Sequence, residues 1–238
     1  MSKVKGEAQN TYREGMVVWA DYPFDKNDTR SVFKHTESSK ERPCLVLNQE
    51  GSGVHLFKIT GTERGFGAYK ENEIPVKADE YNGLTKDSVI RVDNLVKVKK
   101  QDVQEILGCV DKAIMSVVKE RRTVFEQERE KRQWVAEVKN SKEITDRFPG
   151  AKIYEKPNEG MSYDGEVVHK GQNNEFFALK PQKGNALMLF DAKKLPEGEK
   201  LPEKDTHARV SFHGKEMQVH PSRERTNERG HERGSRSR

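Results

Sequence analysis

The chain has few apolar residues and almost no cysteine. Only 32% of its 238 residues are hydrophobic, and its two cysteines, Cys44 and Cys109, stand in apolar strand-like stretches at no metal-ligand spacing. This excludes a disulfide framework and points to a reduced protein in the cytoplasm. His207, His213 and His220 are irregularly spaced, so no metal site is expected. No apolar run approaches a signal peptide or a membrane span, and the opening residues Met1 to Gly6 are polar, so neither export nor a membrane partner is expected. Charged residues are abundant at 35%, against about 25% in an average domain, so any cores are small.

The length favours two domains. The net charge of +5 is unevenly placed. Residues 1–118 hold 18 Lys and Arg against 18 Asp and Glu, whereas the tail 221–238 holds six Arg against three Glu. A nucleic acid bound by the first half must therefore meet a local patch, while the cationic tail can grip RNA or DNA through phosphates.

Read in order, residues 1–12 are polar and expected to be disordered. Met16 to Tyr22 is a β-branched and aromatic strand stopped by Pro23. The long connection that follows carries Lys26, Arg30, Phe33, Lys34 and His35, a basic and aromatic set suited to a single nucleic-acid strand. Two further strands, Arg42 to Leu47 and Val54 to Thr60, bring an arginine and a threonine to neighbouring strand ends, where the pair can hold a phosphate. The glycines of 61–67 precede no helix, so they mark a hairpin or bulge and not a phosphate loop. Glu73 to Val76 contains Pro75 and is an edge strand. From Ser88 to Val98, alternation sets Val89, Arg91 and Asp93 on one face and Ile90, Val92 and Asn94 on the other.

A short helix is expected over 101–107, a brief strand over 108–110, and a long helix from Asp111. The part of that helix from Arg121 to Lys139 reads as a solvated spacer or a helix-pairing segment. Asn140 with Glu143 can cap a second short helix ending at Pro149-Gly150. Five short strands between Tyr163 and His220 then suggest a small barrel, and the Arg-rich tail 221–238 is expected to be disordered.

Four stretches taken together resemble the MazF/PemK toxins, the ribonucleases (mRNA interferases) of toxin–antitoxin pairs. They are Glu14-Gly15-Met16-Val17-Val18-Trp19-Ala20, Arg42-Pro43-Cys44-Leu45-Val46-Leu47, Lys58-Ile59-Thr60, and Gly83-Leu84-Thr85-Lys86-Asp87-Ser88-Val89-Ile90-Arg91-Val92-Asp93. The likeness spans 13 to about 118 and includes Ile106-Leu107-Gly108-Cys109. It implies a small SH3-like barrel that dimerises, needs no metal or other cofactor, and cuts single-stranded RNA to leave a 2′,3′-cyclic phosphate and a 5′-hydroxyl. A cognate antitoxin is the implied partner. Arg42 matches the arginine of the family's Arg-Pro motif, Thr60 the threonine ending its Ile-Thr strand, and Arg91 with Asp93 the Arg-x-Asp pair of the PemK branch. Gly61 stands where family members commonly have another small or polar residue, and Glu63 follows.

The expected fold is mainly β with α: an SH3-like barrel over 13–118, a helical linker over 119–150, and a small β-rich, barrel-like domain over 151–220. The implied catalytic set is Arg42, Thr60, Arg91 and Asp93, with Lys26, Arg30, Phe33, Lys34, His35, Thr62 and Arg64 as RNA contacts. Arg91 and Asp93 read equally as a structural ion pair. The alternative to an endoribonuclease is a non-catalytic nucleic-acid or protein-binding module. Tyr163-Asp164-Gly165-Glu166-Val167-Val168 and Val210-Ser211-Phe212-His213-Gly214-Lys215 weakly resemble small β domains of plasmid and conjugation proteins, which suggests a mobile-element origin.

Overall fold

A computed structural model of the chain describes residues 11–23, 39–61 and 70–222. The two termini, the connection after Pro23 and the glycine-rich stretch after Gly61 lie outside the described residues. Two compact units divide between Glu128 and Arg129. The fold class is the expected one, mainly β with one long helix and two barrel-like sheets.

The first unit contains β1 (Met16–Pro23), β2 (Ser39–Glu50), β3 (Gly53–Gly61), β4 (Glu73–Val76), β5 (Ser88–Lys99) and β6 (Val103–Cys109). Their order across the sheet is β4-β5-β3-β2-β1-β6, so β4 is an edge, as Pro75 requires. The 12-residue β2 pairs with β1 through its first half and with β3 through its second. A strand shared in this way bends, and bending curls a short sheet into a barrel. Alternation gives two apolar clusters, one on each face. Val17, Leu45, Phe57, Ile59, Ile90 and Val92 pack with Met115 and Val118 of α1 (Lys112–Asn140), and Val18, Ala20, Tyr22, Cys44, Val46 and Leu56 fill the other face.

The segment 101–107 is not a helix. A 3-10 turn at Lys100–Asp102 leads directly into β6, which pairs antiparallel with β1. Gln104, Glu105 and Leu107 are helix formers by propensity, but the ladder to β1 and the close approach of a turn override it. That approach depends on two glycines. A Cβ on Gly108 would stand 2.0 Å from the Tyr81 carbonyl oxygen, and one on Gly83, whose φ is +67°, would stand 2.3 Å from that of Leu107. Buried Asn82 holds the same turn together. Its Nδ2 donates to the Lys77 carbonyl at 2.8 Å and its Oδ1 accepts from the Leu84 amide at 3.0 Å.

The second unit contains α2 (Lys142–Arg147), capped by Ser141 and not by Asn140, then β7 (Lys152–Tyr154), β8 (Tyr163–Lys170), β9 (Phe176–Pro181), β10 (Ala186–Asp191), β11 (His207–His213) and β12 (Glu216–Pro221). The three residues of β7, too short to read from sequence, run parallel to β10. The end of α1 is not a solvated spacer on every side. Trp134 and Val138 are buried with Ile144, Phe176 and Leu189, and the Trp134 ring stacks on Phe176 at 5.2 Å.

Candidate active site

The register of the first sheet sets four polar side chains in one row: Glu73 of β4 opposite Arg91 of β5, Arg91 opposite Lys58 of β3, and Lys58 opposite Cys44 of β2. Residues directly opposite in a ladder share a face. Two residues further towards the same end of the sheet stand Arg42 and Thr60, Arg42 opposite the buried Ala20 and Thr60 opposite Val89. The sheet thus gathers three cations, with Glu73 and Thr60, on a face whose interior is apolar.

Asp93 reaches this face through a bulge. The ladder between β3 and β5 jumps from Phe57–Leu95 to Lys58–Arg91, so Val92, Asp93 and Asn94 loop out unpaired against β3. The loop is fixed on both sides: the Val92 amide donates to the Asn72 carbonyl at 3.1 Å, and Arg122 Nη1 donates to the Val92 carbonyl at 2.8 Å. Asp93 then accepts two bonds from Arg91, Nε to Oδ1 at 3.0 Å and Nη2 to Oδ2 at 2.7 Å. Glu73 lies 3.8 Å from the same guanidinium. The bulge also moves Asn94 off its expected side. Its backbone carbonyl and Oδ1 each lie 2.8 Å from the Tyr22 hydroxyl.

Tyr22 joins the two halves of the set. Its ring lies 5.7 Å from the Arg42 guanidinium carbon, and the charges of Arg42, Asp93 and Arg91 all act on its phenol, whose pKa burial pushes well up. Burial also lowers the pKa of Arg42, though an arginine keeps its proton at any working pH. The Cys44 thiol, fully buried, is pushed up to about 12 by its burial, with Arg42 and Lys58 acting in the other direction. It is a packing residue and not a nucleophile. For Asp93, burial acts to raise the pKa, but the bonds from Arg91, with Asn72 and the backbone, hold it below the usual carboxylate value. Asp93 is therefore ionised at neutral pH.

Arg42 and Thr60 also border one pocket of about 380 Å³, with Trp19, Pro43, Lys86 and Leu107 among its other walls. Arg91 and Asp93 do not line it; Tyr22, whose ring lies against Arg42, bonds through its hydroxyl to Asn94, the residue after Asp93. The structure thus brings Arg42 with Thr60 and Arg91 with Asp93, with Tyr22 between Arg42 and Asn94.

Residues 13–124 match the family model described as the PemK-like, MazF-like toxin of type II toxin–antitoxin systems. This segment is a PemK/MazF-family toxin domain. No curated protein matches the chain. Among solved structures, the chain is similar to the Mycobacterium tuberculosis toxin MazF-mt6, with 24% identity over 44% of this chain and 91% of that one at a TM-score of 0.32. It is also similar to an endoribonuclease in complex with its cognate antitoxin from a mycobacterial species, with 17% identity over 48% of this chain and 93% of that one at a TM-score of 0.34.

Within the PemK/MazF domain, the expected RNA contacts Lys26, Arg30, Phe33, Lys34, His35, Thr62 and Arg64 fall outside the described residues. Four site neighbours escape a reading of the sequence: Tyr22, Lys58, Lys86 and Asn94. Lys58 carries a usable signal, since it stands two residues before Thr60 and so on the same strand face. Asn94 and Tyr22 carry none, because their meeting depends on the bulge.

Proposed function

We propose that the chain is a metal-independent endoribonuclease that cuts single-stranded RNA by attack of a 2′-hydroxyl on the adjacent phosphorus. The observation that carries this reading is that Arg42 and Thr60 border one pocket, while the bonded Arg91–Asp93 pair lies on the same sheet face. As the P–O2′ bond forms and the P–O5′ bond breaks, negative charge grows on the non-bridging oxygens, and a fixed cation at that point lowers the barrier. Arg42, its guanidinium held against Tyr22, is the phosphate clamp, and the exposed Thr60 hydroxyl positions the same group by donation. Arg91 adds charge stabilisation or the proton for the leaving 5′-oxygen. Asp93 is in the ionised form a base needs to take the 2′-hydroxyl proton, and its bonds also fix the direction of Arg91. The products are a 2′,3′-cyclic phosphate and a 5′-hydroxyl.

In this reading residues 13–118 contain the whole reaction, the protein works as a cytoplasmic homodimer, and a cognate antitoxin restrains it. The toxin–antitoxin description of the matching family model supports that last partner. Incubation of the purified protein with single-stranded RNA in EDTA tests the proposal. Fragments ending in cyclic phosphate are expected from the wild type and not from Arg42→Ala; equal cutting by both would sink it.

One observation favours the alternative, a non-catalytic nucleic-acid or protein-binding module of a mobile element. Arg91 and Asp93 already satisfy each other through two bonds, as in a structural pair. Salt-dependent retention of RNA with no new ends would select it.

A further inference from the structure

Thr60 is followed by Gly61, and the flexible end of Lys86 lies across it. A Cβ at position 61 would stand 2.3 Å from Lys86 Cε and 2.9 Å from Lys86 Nζ. The lysine side chain therefore crosses the strand end in the space that glycine leaves, beside Thr60. Its backbone is fixed on the far side of the turn: the Ser88 hydroxyl donates to the Lys86 carbonyl at 2.9 Å, and the Asp87 carboxylate accepts from the Ala78 amide at 2.9 Å. Among the described residues Lys86 forms no ion pair, so its charge remains available to a ligand. The pocket it borders is lined by the apolar Trp19, Pro43, Leu84 and Leu107 and by the charged Arg42, Lys86 and Glu41, the last accepting a bond from Gln104. Its volume, about 380 Å³, lies within the usual range of small-ligand pockets, roughly 300–1,000 Å³.

An aromatic wall next to cations suits one ligand chemistry better than others: a base taken out of its stack, with a phosphate attached. We propose that this pocket seats one unpaired nucleotide of the RNA strand next to the scissile bond, the base against Trp19 and Leu107 and the phosphate on Lys86, which Gly61 admits. The inference rests on the reading of the domain as acting on single-stranded RNA. It adds a subsite and assigns Lys86 a binding role that none of the catalytic set fills. Gly61 thus leaves room for a further cation beside Thr60.

Because the chain has two tryptophans and Trp134 is buried in the second unit, Trp19 can report on its own pocket. The full chain is titrated with a mixed-sequence pool of 2′-O-methyl RNA, which lacks the attacking hydroxyl and cannot be cut. Binding is expected to quench tryptophan emission in the wild type and not in Trp19→Phe. Lys86→Met should bind roughly tenfold more weakly, with a salt dependence shallower by about one ion, and Lys86→Arg should keep most of the affinity. Gly61→Ala, which shifts only the flexible end of the lysine, should lose less than Lys86→Met.

An unquenched Trp19, an unchanged affinity in Lys86→Met, or no binding by the wild type would each overturn the proposal. On cleavable RNA, the Lys86→Met defect should appear in KM more than in kcat. Quenching and Lys86 dependence without any cleavage would keep the subsite and remove the nuclease. Cleavage that ignores both Trp19 and Lys86 would do the reverse.

Discussion

Among the described residues each unit is built on six strands, but the two use their strand faces differently. In the second unit both faces are apolar, with Val168, Phe176, Ala178 and Leu189 on one and Val167, Phe177, Leu179 and Phe190 on the other. Its charges are spread over separate pairs, some exposed, such as Lys204 with Glu143 and Lys193 with Glu130, and some partly buried, such as Lys170 with Glu203. In the first unit one face breaks its apolar run with Arg42, Lys58 and Arg91, each partly buried. A cation placed on a half-buried strand face loses hydration, and a sheet built only for stability has little reason to put it there. The first unit therefore differs by gathering three partly buried cations in one place, whereas the charges of the second are spread over separate pairs.

The largest expected effect lies in the second unit and concerns stability alone. Phe176 is fully buried and stacks on Trp134, so Phe176→Ala should destabilise that unit by about 3–5 kcal/mol. Urea unfolding followed by Trp134 emission measures it, and RNA cleavage well below the transition should stay at the wild-type level. Loss of cleavage in the folded variant would show that the two units do not divide their tasks as their faces suggest.

Next comes Arg42→Ala, whose effect should be the opposite in kind. Cleavage should fall by about 10²–10³, the usual cost of removing one charge-stabilising donor, while the melting temperature moves little. Arg42→Lys should recover only part of the rate, because a point charge does not replace a planar fork.

These contrasts are partly legible in the amino-acid sequence. Met16 to Tyr22 and Ser88 to Val98 announce themselves by β-branched alternation, and Arg42 and Thr60 by their strand ends and their family motif. What stays hidden is non-local. The strand at 103–109 is written in helix-forming residues, and only its ladder to β1 and the two glycine contacts make it a strand. In sequence Asp93 is a simple i, i+2 neighbour of Arg91, whereas in the fold a three-residue bulge delivers it. Gly61 is a departure from the family pattern, and the side chain that lies across it, Lys86, stands 25 positions later in the chain. Periodicity reports which face a residue takes and not what folds over that face from elsewhere.

Asp93→Asn gives a smaller effect that separates scaffold from chemistry. It weakens two charge-assisted bonds to Arg91, so the first unit should lose about 1.5–3 kcal/mol at neutral pH. The sign with pH follows from the lowered pKa of Asp93 in the folded state. Its stabilisation is fully present above the unfolded value of about 3.9 and is lost as pH falls through the folded value. Wild type and variant should therefore converge in urea midpoint in strong acid and separate above about pH 4. A gap that does not close in acid would mean that Asp93 acts through shape and not through its charge.

The smallest effect is expected where the second unit has its densest charge cluster. Arg147 bonds Glu166 at 2.5 Å and Asp205 at 3.1 Å, and its guanidinium carbon lies 5.2 Å from the centre of the Phe148 ring. On geometry alone such a cluster resembles a site as much as Arg42 and Tyr22 do. Yet the Arg147 side chain is 40% exposed and Asp205 is 57% exposed, so water and salt screen both pairs. Arg147→Ala should cost no more than about 1 kcal/mol, the cost should shrink further in high salt, and cleavage should be unchanged. If it instead cost as much as Asp93→Asn, or slowed cleavage at all, exposure would no longer separate the two classes of arginine, and the charges of the second unit would have to be read as a site of their own.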